Sequence, residues 1–108
     1  MERRALNRQR RYLVLREKGL EFIETWFGAP KCVPPNLTKI YQLLLHMVTM
    51  KGTIPMYLAF KLGYSEAVVN EAVKRKYVEL SLVPKKPPKS VLKRIRDIIG
   101  EPPREMFA

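Results

Sequence analysis

Residues 55–83 read PMYLAFKLGYSEAVVNEAVKRKYVELSLV, and the spacing inside this stretch decides the fold. Ala59 precedes Gly63 by four positions; Val69 follows Gly63 by six and Ala72 by nine. A small side chain at Ala59 lets two short helices cross closely. Gly63 can take the positive φ of a sharp turn between them. Val69 and Ala72 fall about one turn apart, on the side of the second helix that faces the first. Ser65 is placed to cap that second helix, about Glu66 to Lys76, and Glu66 suits its positive end. From Val78 to Leu82 apolar and polar residues alternate, which reads as one strand.

Working upstream, Lys51-Gly52 ends one helix, and Thr53 is expected to cap a short helix from Ile54 to Leu62 with Pro55 in its first turn. Before it, Leu37, Ile40, Tyr41, Leu44, Leu45 and Val48 give the i, i+3, i+4, i+7 pattern of a buried face. That helix is expected to start at Asn36 as its N-cap and to run to about Met50. Leu43, Met47 and Met50 form a second apolar stripe, so it should be covered on more than one side. Residues 2–27 read as a further helix. Leu6, Leu13, Leu20 and Phe27 recur every seven residues, with Ile23 beside Leu20, which predicts a packing seam and, from it, a homodimer through this helix. Downstream, Pro84-Lys85-Lys86-Pro87-Pro88 is a stiff basic loop. A last helix is expected over about Lys89 to Ile99, with Val91, Leu92, Ile95, Ile98 and Ile99 inward.

The whole chain has 108 residues, 21 of them Lys or Arg against 10 acids, for a net charge of +11. Basicity gathers at the ends. Six Arg lie within the first 16 residues, and six cations lie between Lys85 and Arg96. Self-repulsion of this size is relieved by a polyanion that releases its counterions on binding, and nucleic acid is the commonest such partner. An apolar share of 46% argues against global disorder. No apolar run reaches the length of a membrane span, and the N-terminal apolar stretch is too short for a secretory signal, so no membrane association is expected and the place of action is expected to be cytoplasmic or on the nucleoid. Cys32 has no second Cys to pair with. One His, one Asp and one Cys leave few ways to build a nucleophile–base pair or a metal site, so neither an enzyme nor a metal or other cofactor is expected. Asn and Gln total only five and Pro sits in connections, a tendency of heat-loving organisms that points to an archaeon or its virus as source.

The arrangement over residues 37–86 resembles the helix-turn-helix family in its winged-helix form: an apolar helix, the A-x-x-x-G-Y-S turn, a second helix and the KRKYVELSLV run into a strand. The resemblance implies a mainly α fold. Its parts would be an N-terminal arm over residues 1–30, a winged core over 36–86 with a minimal β wing, and a basic C-terminal helix and tail over 87–108. It implies that the second helix of the pair enters a DNA major groove. By position, Ser65, Glu66, Ala67, Asn70, Glu71 and Lys74 would face the groove, with Arg75 on phosphate and Lys85 and Lys86 on the wing. Lys89, Arg8 and Arg11 would add backbone contacts from the two basic ends. The function this implies is duplex-DNA binding, as a transcription regulator or a DNA-packaging protein. Two alternatives stand beside it: an RNA-binding component of a ribonucleoprotein particle, and a winged helix used for protein contacts through Glu66 and Glu71.

Overall fold

The computed structural model describes residues 11–99. Among them the order is β1 (Tyr12–Leu15), α1 (Glu17–Trp26), α2 (Thr38–Thr49), β2 (Thr53–Pro55), α3 (Met56–Lys61), α4 (Glu66–Lys74), β3 (Val78–Ser81) and α5 (Lys89–Ile99), with 3-10 turns at Pro30–Cys32 and Pro35–Leu37. The fold is mainly helical, with one small antiparallel sheet in the order β2-β1-β3. Each of α2, α4, β3 and α5 lies where the sequence pattern puts it, within a few residues.

The N-terminal segment does not follow the helical expectation for residues 2–27. Tyr-Leu-Val-Leu at positions 12–15 forms the central strand, paired with β2 on one side and β3 on the other. Aromatic and β-branched residues favour a pleated surface, and two ladders satisfy the strand's backbone on both edges. The chain becomes helical only from Glu17, an acidic residue well placed at a helix start. The seven-residue recurrence therefore does not mark one helix face. Leu13 points from a strand and Leu20 from a helix, both fully buried in the chain's own core, while Phe27 is half exposed. Leu6 lies outside the described residues. The seam that motivated a homodimer is thus not a surface stripe.

Three boundaries move for local reasons. Pro35–Leu37 forms a 3-10 turn, so Asn36 lies inside it and α2 begins at Thr38 without a side-chain N-cap. Thr38 Oγ1 instead donates to the Pro34 carbonyl at 3.3 Å. Thr53–Pro55 is strand β2 and not the start of a helix, because it pairs with Tyr12–Val14. Consequently α3 starts at Met56, with Pro55 in extended backbone as its N-cap residue.

The core lies between the helices and the inner face of the sheet. Leu13 and Leu15 on β1, Ile54 on β2 and Val78 on β3 meet Leu20 and Ile23 of α1, Leu43, Leu44 and Met47 of α2, and Val91 and Ile95 of α5. Ile40, Tyr41, Leu43, Leu44, Met47 and Val48 are all buried, so α2 is covered on several sides, but Met50 of the second stripe lies past the helix end and is exposed. On α5, Val91 and Ile95 are buried, Leu92 and Ile98 half-buried, and Ile99 half exposed. Phe22 of α1 stacks on Tyr77 with ring centroids 5.0 Å apart and meets Tyr41 edge-on at 6.0 Å.

Candidate nucleic-acid interface

The turn between α3 and α4 falls at Gly63, where the spacing puts it. α3 ends at Lys61, and the next amides close the turn: Leu62 N–H donates to Leu58, Gly63 N–H to Phe60 and Tyr64 N–H to Ala59. Gly63 has φ +100°, outside the range of ordinary side-chain-bearing residues. Ser65 Oγ then accepts the Val68 amide at 3.2 Å and caps α4. Ala59, Val69 and Ala72 are fully buried, and all three belong to the one hydrophobic core. Tyr64, within the turn, is also buried; its hydroxyl hydrogen-bonds His46 Nδ1 on α2, which ties the turn to that helix. The sequence offers no partner for His46; the one it finds is a phenol.

On the outer side of α4, Glu66, Ala67, Asn70 and Lys74 are exposed, and Arg75 follows at its C-terminal end. The Arg75 guanidinium is held by Glu71 at 2.7 Å, one turn back, which keeps the arginine charged and shares its charge with a carboxylate. The Ser65 hydroxyl serves as a helix cap before anything else. An open groove of about 400 Å³ runs between the start of α2 and α4, floored by Leu37, Ile40 and Val68 and edged by Asn36, Ala67 and Arg75.

The residues assigned to a wing sit elsewhere than on a free hairpin. After β3 the chain turns back across the outer face of the sheet. The Lys85 carbonyl accepts from Thr53 Oγ1 at 2.6 Å, and its ammonium lies 3.0 Å from Glu79. Thr53 and Glu79 are the two register partners of Val14, so Lys85 lies across Val14, which is fully buried. Arg16 meets the same Glu79 oxygen at 3.2 Å. These cations hold the Glu79 carboxyl below its ordinary value, the Lys85 hydrogen bond foremost. Lys86 and Lys89 are exposed and have no ion pair among the described residues. Arg11 is half-buried at the head of β1; its carbonyl accepts the Met56 amide, and its Nε is buried without a hydrogen-bond partner among the described residues. Arg8 lies outside the described residues.

Two exposed cations that sequence reasoning did not select, Lys93 and Arg96, share one face of α5 with Lys89. Their i, i+4, i+7 spacing was readable. Among the described residues, no group of three His, Cys, Asp or Glu could hold a metal ion, and no helix is long and apolar enough to cross a membrane. No protein-family model, curated protein or solved structure matches this chain.

Proposed function

We propose that this protein binds double-stranded DNA, with α4 entering the major groove and the surrounding cations holding phosphate, in a variant of the winged helix-turn-helix. The observation that carries this reading is the outer side of α4. Ala67, Asn70 and Lys74 are exposed there while Val69 and Ala72 are buried against the rest of the chain. A rod fixed along one side and open along the other can be offered to a groove about 12 Å wide. The order α2, β2, α3, α4, β3 supports it, since it is the order of helices and strands in a winged helix. Among the described residues no strand returns from a wing after β3, and β1 occupies a place between β2 and β3. On this reading the family's core is completed by the N-terminal segment.

Cations dominate away from α4, and Glu66 and Glu71 lie on it, so most of the binding energy comes from phosphate and little from base reading. A protein with this balance coats or organises DNA, or regulates transcription with modest sequence preference. The deciding experiment is a salt series of affinity for mixed-sequence duplex DNA and for structured RNA of equal length. Tighter binding to the duplex with a steep loss of affinity as salt rises is the expected result. Preference for the RNA, or no binding to either near physiological salt, would overturn the reading.

A further inference from the structure

We propose that the outer face of α5, together with Lys51 and Lys86, is a second DNA-backbone surface, so that one copy of the chain can hold two duplex segments at once. This inference rests on the duplex-binding reading and extends it to a bridging activity.

Charge on α5 is sorted by side. Val91 and Ile95 are buried. On the flank toward α1, Ser90 donates to Glu17 at 3.0 Å and the Arg94 guanidinium is paired with Glu24. Asp97, the one acid on this helix, lies at the border of that flank, three residues from Arg94 and four from Lys93. The remaining side carries Lys89, Lys93 and Arg96, all exposed and none ion-paired among the described residues. Seven residues of helix rise about 10 Å, the axial reach of about three phosphates on one strand of a duplex.

Two further segments bring cations to the same region. A side chain at Gly52 would meet Pro87 Cγ at 2.6 Å and Ile95 Cδ1 at 3.1 Å, so both pack on bare backbone there. Lys51, Lys86 and Arg96 each adjoin one of these three residues in the chain, and each is exposed without an ion pair among the described residues. Helix α5, the turn after α2 and the crossing segment thus present five unpaired cations around one packed point. Such a grouping fits a continuous polyanion better than a lone carboxylate or a small ion.

The surface is separate from α4. On α2, Tyr41 meets Phe22 of α1, whereas His46 meets Tyr64 at the α3–α4 turn. Five residues along a helix turn the side-chain direction by about 140°. Helix α1, with α5 tied to it through Glu17 and Glu24, therefore lies on a different flank of α2 from the α3–α4 turn. Each outer face turns away from α2, and a duplex on one leaves the other open.

The test uses the full chain, a mixed-sequence duplex fixed to beads and a second, labelled duplex in solution at about 50 mM salt. The wild-type protein should bind the beads and carry the labelled duplex with it while sedimenting as one chain. The variant Lys89→Gln/Lys93→Gln/Arg96→Gln should still bind the beads but carry at least tenfold less labelled duplex. The log–log salt slope for capture of the labelled duplex should be shallower by about 2–3, at about 0.9 per phosphate contact. Lys93→Gln alone should lower the slope by about 0.9, which keeps the question open to test if the triple variant fails to fold. Lys31→Gln/Lys39→Gln, which removes two exposed cations elsewhere, should leave bridging intact. Undiminished bridging and slope in the triple variant would sink the second surface and leave duplex binding standing. Bridging seen only when two copies sediment together would do the same. A wild-type protein that does not bind the fixed duplex would remove both proposals.

Discussion

The Lys85 ammonium lies 3.0 Å from Glu79 Oε1, across the central strand from the point where the Lys85 carbonyl accepts from Thr53. One residue thus fastens the chain after β3 to both edge strands and closes the outer face of a three-stranded sheet too small to protect itself. The consequence is a pH dependence with a definite sign. Glu79 has its pKa lowered from 4.5, first by the Lys85 hydrogen bond and further by Arg16, so folding favours its ionised form. The stability it contributes is complete above that ordinary value and is lost as pH falls through the lower value of the folded state. Both partners are partly exposed, at 53% for Lys85 and 33% for Glu79, so the contribution stays below about 1 kcal/mol. Urea midpoints for wild type and Glu79→Gln should differ near pH 7 and converge as the pH falls below the lowered folded-state value, and the difference should shrink in high salt.

Gly19 is buried where α1 passes the end of β3. An added Cβ would run into the Tyr77 carbonyl oxygen and lie 2.9 Å from Leu15 Cδ1. That carbonyl already accepts the Arg16 amide at 2.9 Å and cannot give way without breaking the bond. Gly19→Ala should therefore destabilise by about 1–3 kcal/mol or more, as overpacking does. At Gly63 nothing lies within 4 Å of an added Cβ, and only the backbone at φ +100° resists, which should cost about 1–2 kcal/mol. Gly28→Ala, with open space and an ordinary φ, serves as the near-neutral control. Denaturant unfolding of the three variants ranks them; a Gly19→Ala protein as stable as the Gly28 variant contradicts the packing described.

Burial of Tyr41 and Tyr64 raises both phenols above their ordinary 10.0. The neutral forms are favoured in the fold, so this stability is fully present below that value and is lost as pH rises through the folded values. An ultraviolet titration should show Tyr41 and Tyr64 ionising above the ordinary phenol value. Tyr64→Phe should remove one late step. It should also cost about 0.5–1.5 kcal/mol through the lost hydrogen bond to His46.

The turn between α3 and α4 was legible because its signals are local: Gly63 takes a positive φ, and Ser65 two residues on caps the next helix. α2 and α5 were legible for the same reason, since their apolar periodicity is carried within one helix. β1 was not. Tyr12–Leu15 is a short apolar run inside a basic stretch, and its strand character is settled by partners about 40 and 65 residues away. A seven-residue recurrence of leucines there matched a helix by coincidence, with Leu13 and Leu20 reaching one core from different elements. The candidate site divides in the same way. Asn70 and Lys74 could be placed from position alone. The Lys85 tie to Thr53 and Glu79 depends on a return of the chain that no periodicity encodes.

That tie separates two adjacent lysines in DNA binding. Lys86 is exposed without an ion pair among the described residues, so Lys86→Ala should weaken binding to every duplex alike and lower the log–log salt slope by about 0.9. Lys85 must leave Glu79 before it can neutralise a phosphate, so Lys85→Ala should change the slope less and fold stability more. Asn70 is exposed on α4 and carries no charge. Asn70→Ala should leave the slope and the affinity for random duplex unchanged. It should cost about 1–3 kcal/mol only on a selected site where the amide bonds adenine. Selection from a random duplex pool followed by fluorescence titration checks all three. A shallower slope for Asn70→Ala, or equal effects of Lys85→Ala and Lys86→Ala on slope and stability, contradicts the division of labour between α4 and the crossing segment.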